Sequence, residues 1–142
     1  MIVEARIKHE KSLSPMVSLE PSNRELGALG ENIAAQALQA HGYTVLEHNW
    51  TWIGGEADLI ADHDGCKVIV EVKLRRSNSY GSPEDGVTNS KRKHLLQTGL
   101  RYMSELEQLD QCWQIDIVAI EMTSDGKVHR LTIYQDAVRA DD

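Results

Sequence analysis

The stretch GEADLIADHDGCKVIVEVKLR, Gly55–Arg75, decides the fold of this 142-residue chain. Two runs within it, Glu56–Asp62 and Lys67–Lys73, have the patterning of strands, and Asp64-Gly65 between them is a strong hairpin signal. The second run is apolar almost without interruption, which is typical of a strand covered on both faces. The stretch therefore predicts an antiparallel hairpin whose second strand lies in the centre of a sheet.

Outward from this hairpin, the remaining sequence predicts two helices and three further strands. One helix is predicted from about Arg24 to just before Gly42, and another from Asn89 or Ser90 to about Leu109. The further strands are predicted at Tyr43–Trp52, Trp113–Glu121 and Val128–Tyr134. The order αβββαβ(β) predicts an α/β domain with a mixed central sheet flanked by helices.

The length fits one compact domain, which is predicted over residues 23–136. Residues 1–22 are weakly patterned and are predicted to form a flexible N-terminal extension, and residues 137–142 a frayed tail. Gly27 and Gly30 lie inside the first predicted helix, where each costs about 1 kcal/mol relative to alanine. Their presence predicts that this helix approaches a neighbouring element closely.

Composition excludes several classes of protein. Apolar residues make up 41% and charged residues 26%, which argues against wholesale disorder. No apolar run is long enough to span a bilayer, and the charged start lacks the apolar centre of a secretory signal. Cys66 and Cys112 are too few for a disulfide scaffold. We therefore expect a cytoplasmic protein without membrane attachment, in which both cysteines are buried small apolar residues.

The distribution of charge is uneven. The net charge of −7 argues against a protein that simply coats nucleic acid with basic residues. The segment Lys67–Arg101, however, holds eight basic and three acidic residues. Such a local basic stripe can still attract phosphates, because salt screens distant charges over about 8–10 Å. The alternative is a solvated surface that happens to be rich in lysine and arginine.

One cluster of residues suits metal chemistry. Glu56 and Asp58 lie two apart on one predicted strand, and Glu71 and Lys73 lie two apart on its neighbour. Each pair therefore points to one face of its strand, and the hairpin brings the pairs together. Carboxylates at this density suit Mg²⁺, which activates water and neutralises charge on phosphoryl groups. The alternative is a strand end that carries ordinary salt bridges.

These residues fall in an ordered set of motifs that resembles a known family. Gly55–Ile60 followed by Val70–Arg75 resembles the signature of the PD-(D/E)XK nuclease superfamily. The wider set resembles the UPF0102 (YraN-like) family of bacterial proteins; it comprises Gly27–Glu31, Gly42-Tyr43, Asn49, the two motifs above and Lys91–Leu95. The resemblance covers about Arg24 to Ile120. It implies a restriction-endonuclease-like core, similar to that of archaeal Holliday-junction resolvases.

The resemblance also implies roles for individual residues. Asp58 and Glu71 would bind the metal, Mg²⁺ or Mn²⁺, and Glu31 would be an accessory acid that approaches it. Lys73 would be the catalytic lysine. Under this hypothesis the basic residues nearby bind nucleic-acid phosphates; they are Arg75, Arg76, Lys91, Arg92 and Lys93. Where the family often has Arg-Phe-Asp, this chain has Gln114-Ile115-Asp116, which argues against phosphate binding at that position.

The leading functional hypothesis is a metal-dependent nuclease that cuts phosphodiester bonds in DNA, as an endonuclease or an exonuclease. Branched or damaged DNA is the expected substrate class, by analogy with junction resolvases. An alternative is a nucleic-acid-binding or DNA-processing accessory protein with little or no turnover. A third hypothesis is a protein-interaction module that uses its acidic surface. A homodimer is compatible with the sequence, although no feature reports one.

Overall fold

The computed structural model describes residues 2–4, 23–76 and 87–140. It contains six strands and two helices in these ranges. In chain order they are β1 (Ile2–Glu4), α1 (Asn23–Ala40), β2 (Thr44–Trp52), β3 (Gly55–His63), β4 (Cys66–Arg76), α2 (Asn89–Glu105), β5 (Trp113–Met122) and β6 (Val128–Tyr134). Most of the polar segment between β4 and α2 lies outside the described residues.

The six strands form one mixed sheet in the order β1-β6-β5-β4-β3-β2. Neighbouring strands pair antiparallel, except that β4 and β5 are parallel and are connected through α2. The Asp64-Gly65 turn joins β3 to β4, and Asp62 pairs with Lys67. The predicted α/β fold, a mixed sheet flanked by helices, is confirmed. The predicted central position of the apolar strand is also confirmed, because β4 has a neighbour on each side.

Each face of the sheet carries one hydrophobic cluster. On one face α1 contributes Ala34 and Leu38, and on the other α2 contributes Leu95 and Met103. Strand β4 supplies both clusters by alternation, with Val68 and Val70 on the α1 side and Ile69 on the α2 side; all three are fully buried. This double burial explains why the β4 sequence is almost continuously apolar before Glu71.

The structure extends the domain at both ends. Ile2–Glu4 forms β1, which pairs with β6 through Ile2 and Tyr134, so this part of the expected flexible extension belongs to the sheet. Val138 is 3% exposed, and the Ala137 N–H donates to the Ile115 carbonyl at 2.7 Å. The start of the expected frayed tail is therefore packed in the α2-side core. Residues 1, 5–22 and 141–142 lie outside the described residues.

The helix ends follow local capping chemistry. Gly42 ends α1 with φ +89°, as predicted, because a left-handed backbone favours glycine. The α2 cap is Thr88 rather than Asn89 or Ser90; its hydroxyl accepts the Lys91 N–H at 3.1 Å. Helix α2 ends at Glu105 instead of Leu109, since Glu107 has φ 57° and interrupts the helix.

The prediction for the two glycines of α1 is correct for one of them. A Cβ on Gly30 would lie 3.5–3.6 Å from the Leu74 and Val72 side chains, so α1 does approach β4 closely there. A Cβ on Gly27 would meet nothing within 4 Å. The prediction is therefore wrong for Gly27, which faces open space at the candidate site described below.

The prediction for the cysteines is wrong. Cys66 and Cys112 form a disulfide, and Cys112 is exposed while Cys66 is only partly buried. The parallel pairing of Lys67 with Trp113 places the two preceding residues side by side, with their Cα atoms 4.7 Å apart. Only knowledge of this register could have shown that the two residues meet. Among the described residues, no helix has the length and apolarity needed to cross a membrane.

Candidate active site

Strands β3 and β4 separate at the position that carries the predicted metal ligands. Their pairing runs from His63 and Cys66 to Leu59 and Val70. Beyond that pair the Asp58 carboxylate takes the place of a backbone carbonyl, since its Oδ2 accepts the Val72 N–H at 2.7 Å. The separation of the strands thus gives an acidic side chain room between two backbones without leaving the Val72 N–H unpaired.

Asp58 and Glu71 interact directly. Burial, a side-chain hydrogen bond with Glu71 and the negative charge of Glu71 together raise the pKa of Asp58 to about 8. The Val72 N–H opposes this shift but does not cancel it. Near neutral pH without metal, the raised pKa favours one proton held between Asp58 and Glu71. Two carboxyl groups in this arrangement are suited to accept a cation in place of the proton.

Glu71 is buried, and one of its oxygens forms an ion pair. Its side chain is 7% exposed, and the Lys91 ammonium lies 2.8 Å from its Oε2. Within the described part of the protein, no other group donates to this oxygen. A buried carboxylate that is balanced by one partly exposed cation is a costly arrangement. It fits a site at which a stronger cation binds.

Helix α1 brings Glu31 towards the same place. The Asn49 side-chain amide donates to Glu31 Oε2 at 3.3 Å. Asn49 has φ 51°, and its neighbours His48 and Trp50 pair with Leu59 and Ala57, so Asn49 lies opposite Asp58. Partial burial raises the pKa of Glu31, whereas the Asn49 hydrogen bond lowers it and the first effect is larger. The negative charge of Glu31 also contributes to the raised pKa of Asp58.

Glu31, Asn49 and Asp58 line an open cavity of about 840 Å³ between α1 and the separated strands, whereas Glu71 is not part of its lining. Its polar lining contains three predicted site residues, Glu31, Asp58 and Lys73, together with Asn49 and Glu56. The N-terminal part of α1 and the end of β4 complete the walls; they contribute Arg24, Leu26, Gly27, Ala28, Gly30, Val72 and Leu74. One acid of the helix therefore lies in the same cavity as two acids and a lysine of the sheet.

The donor set fits a hard divalent cation in part. Asp58 and Glu71 supply carboxylate oxygens, and Mg²⁺ commonly binds one or two carboxylates while it keeps several waters. Within the described ranges, no three acidic, histidine or cysteine side chains are already arranged around a common metal position. Glu31 is hydrogen-bonded to Asn49 instead. Two carboxylates therefore form the core of the candidate site, and the third lies at its edge.

The predicted phosphate-binding residues have different environments. Lys91 contacts Glu71, and Arg92 Nη1 donates to the Ala137 carbonyl at 3.3 Å. Lys93 is exposed, and Arg75 and Arg76 are half-buried at the end of β4. Lys91 and Arg92 thus have contacts within the domain that the sequence did not predict. Phosphate binding by all five residues stays a prediction.

Asp116 has a structural environment. It is fully buried and accepts from the Tyr43 hydroxyl at 2.6 Å, from Gln114 Nε2 at 2.8 Å and from the Asp136 N–H at 2.9 Å. These three donors satisfy a carboxylate that burial would otherwise penalise. Gln114 therefore belongs to a buried hydrogen-bond network.

The sequence did not predict two contacts of the site. The amide of Asn49 positions Glu31, and the ammonium of Lys91 lies on Glu71. A signal for the first exists, because asparagine is unfavourable within a strand and tolerates a left-handed backbone. No local signal exists for the second, since 20 positions and an undescribed segment separate Lys91 from Glu71.

Comparison with known proteins gives a consistent result. The model of a family described as "Uncharacterised protein family UPF0102" matches residues 30–120. A UPF0102 protein of Syntrophomonas wolfei is 42% identical over 74% of this chain and 90% of its own length. One from Geobacter metallireducens is 38% identical over 69% of this chain and 80% of its own. One from Symbiobacterium thermophilum is 36% identical over 83% and 99%.

Proposed function

The chain belongs to the UPF0102 family, and from that premise and the geometry of the acidic cluster we propose that it is a metal-dependent nuclease that hydrolyses phosphodiester bonds in DNA. The observation that carries this proposal is the Asp58–Glu71 pair. Burial and the neighbouring Glu71 raise the pKa of Asp58 to about 8, and Glu71 itself is buried, with the Lys91 ammonium 2.8 Å from its Oε2. Such a pair is held together at neutral pH either by a proton or by a cation.

Asp58 and Glu71 would hold the metal, Mg²⁺ or Mn²⁺, and Glu31 would complete the set from α1. When bound, the ion would lower the pKa of a water molecule and neutralise charge on the phosphoryl group. Asp58 must give up its shared proton for the ion to bind. Asn49 keeps Glu31 near the cavity in the meantime.

Lys73 supplies the remaining charge. It lines the same cavity as Asp58 and Glu31 and lies two residues beyond Glu71 on β4. An ammonium at this place would orient the attacking water and stabilise the negative charge that develops on the phosphoryl oxygens. Its role differs from that of the carboxylates, because it contributes to the reaction without binding the metal.

DNA is the proposed partner, and the cytoplasm the proposed compartment. Arg75 and Arg76 follow Lys73 at the end of β4, and Lys93 is exposed near the start of α2. These cations would hold the phosphate backbone without selecting a sequence. The cavity is open and could admit a DNA strand, and branched or damaged DNA is proposed by analogy with junction resolvases. Symmetric cutting of a four-way junction would need a homodimer.

A second candidate function is a DNA-binding accessory protein with little turnover. The favouring observation is that Lys91 lies on Glu71 while Asn49 binds Glu31, so the described residues contain no assembled three-ligand site. The two functions differ in whether metal addition produces cutting.

The test is cleavage of labelled single-stranded, duplex, flap and four-way-junction DNA with Mg²⁺, Mn²⁺ or EDTA. The Asp58→Ala and Lys73→Ala variants exclude a contaminating nuclease. We expect metal-dependent cutting of at least one substrate, and both substitutions should lower it by 100-fold or more, on the order of general acid–base effects. Binding without cutting under every condition would favour the accessory function instead.

A further inference from the structure

The Lys91 ammonium occupies the cation position of the candidate site. It lies 2.8 Å from Glu71 Oε2, a buried carboxylate oxygen. Lys91 also lies within electrostatic range of Asp58 and Glu56. A lysine from α2 thus partly neutralises an acidic cluster that is built by β3 and β4.

The backbone of Lys91 is fixed, whereas its side chain is partly exposed. The Thr88 hydroxyl accepts the Lys91 N–H at 3.1 Å, and the Thr88 carbonyl accepts the Arg92 N–H at 2.9 Å, so the first turn of α2 is capped. The Lys91 side chain is 38% exposed, in contrast to 7% for Glu71. The four-carbon stem of a partly exposed lysine lets the charge move without any movement of the helix.

The ion pair has the properties of an exchangeable one. Because its lysine is partly exposed, the pair is screened by solvent and is weaker than a fully buried one. A divalent ion on the same oxygen carries twice the charge and repels a neighbouring ammonium. Lysine and metal therefore compete for Glu71.

We propose that Lys91 is a placeholder cation, which occupies Glu71 in the metal-free protein, gives way to the divalent ion, and then binds a phosphate of the substrate backbone. This inference rests on the metal site of the proposed function, and its last step rests on the proposed binding of DNA as well. Lys91 would influence metal binding by occupying or releasing the Glu71 oxygen, and it would not itself be a ligand of the metal. The bound ion would repel the displaced ammonium, and the polyanionic backbone of a substrate would attract it.

A matched ion pair provides the control. Lys67 of β4 lies 2.7 Å from Asp62 of β3, and this pair is partly exposed, like the pair of Lys91 and Glu71. Asp62 is four residues along β3 from Asp58, a separation of about 13 Å in a strand. Lys67→Met removes the same charge and also frees a carboxylate, but at a distance from the candidate site.

The first experiment is a calorimetric titration of the full chain with Mn²⁺ alone. We expect Lys91→Met to bind Mn²⁺ at least fivefold more tightly than wild type and Lys67→Met, whereas Lys91→Arg stays close to wild type. Lys91→Gln removes the charge but retains a polar side chain. It should show the same increase if Lys91→Met proves insoluble.

A Kd of Lys91→Met within twofold of that of Lys67→Met overturns the placeholder role. Absence of Mn²⁺ binding in every variant overturns both this inference and the proposed function. Tighter binding by Lys91→Met without cutting of any DNA refutes the nuclease alone and leaves the placeholder role standing.

The phosphate step needs a second readout. In a Lys73→Ala background with Mn²⁺, the salt dependence of duplex DNA binding counts the phosphates contacted. Adding Lys91→Met should reduce the slope of log K against log salt by about 0.9, the value for one contact. Adding Lys67→Met should leave it unchanged. Equal slopes in the two double variants overturn the phosphate step.

Discussion

The carboxylate of Asp58 accepts the backbone N–H of Val72 at 2.7 Å, one residue beyond the last pair of the β3–β4 ladder. This contact ties an ionisable side chain to the strand that carries Glu71 and Lys73. It holds Asp58 where burial and Glu71 raise its pKa to about 8. The fold thus raises the proton affinity of Asp58 at the place where a metal ion would bind.

The raised pKa of Asp58 predicts a pH-dependent stability. Between its ordinary value of 3.8 and about 8, the unfolded chain has lost this proton and the folded protein retains it. Raising the pH through that window therefore lowers the free energy of unfolding, and the loss levels off above about 8. Asp58→Asn stays neutral and can still donate to Glu71, so it lacks this loss.

We expect the stability of Asp58→Asn relative to wild type to rise by at least about 1 kcal/mol between pH 5 and pH 8. The measurement is urea denaturation in EDTA at several pH values. A stability difference that stays constant with pH would show that Asp58 titrates normally.

Gly27 in α1 and Gly99 in α2 should respond in opposite ways to the same substitution. A Cβ on Gly27 meets nothing within 4 Å, so Gly27→Ala should stabilise the protein by about 0.5–1 kcal/mol through helix propensity. A Cβ on Gly99 would lie 2.1–2.9 Å from atoms of the Trp113 ring. Gly99→Ala should therefore destabilise it by about 1–3 kcal/mol. Thermal unfolding checks both, and effects of equal sign would contradict the packing described for α2.

Substitution of the buried Asp116 should lower the free energy of unfolding by a large amount. Asp116→Ala removes the acceptor for Tyr43, Gln114 and Asp136, and we expect a loss of about 3 kcal/mol or more. Tyr43→Phe removes only one of these donors and should cost about 1–2 kcal/mol. Chemical denaturation gives both values. An Asp116→Ala variant as stable as wild type would be inconsistent with the network.

Substitution of Asn49 should weaken metal binding at the site without a large loss of stability. Asn49→Gly tolerates the positive φ of 51° but removes the amide that binds Glu31. Partners of this kind typically change metal affinity or activity by about 10–100-fold. We expect a decrease of about 10-fold in Mn²⁺ affinity, measured by calorimetry. Asn49→Asp is the companion variant; it repels Glu31 and should be weaker still, and wild-type affinity in both would remove Asn49 from the site.

Local signals predicted most of the fold. The Asp64-Gly65 turn and the apolar run Val68–Val70 indicated a central hairpin, and the structure has it. The spacing of Glu56, Asp58, Glu71 and Lys73 also indicated that these residues would share one region. Hairpin register and strand alternation follow from the nearest neighbours in sequence, which is why such features can be predicted.

Features that depend on distant pairing could not be predicted in this way. The disulfide requires the parallel register of β4 and β5, and β1 requires the exposed edge of β6. The contact between Lys91 and Glu71 requires the placement of α2 over the sheet. None of these pairings has a local pattern, because parallel strands and helix packing are set by the whole core.

The most direct measurement is a calorimetric titration of Mn²⁺ into wild type, Asp58→Asn, Glu71→Gln and the control Asp110→Asn. Asp110 is exposed in the turn before β5, so its substitution removes the same charge away from the cluster. We expect Mn²⁺ to bind wild type and Asp110→Asn equally well. We expect its affinity for Asp58→Asn and Glu71→Gln to be at least 10-fold lower. Binding by Asp58→Asn and Glu71→Gln as tight as that of wild type would contradict a metal site between these two residues.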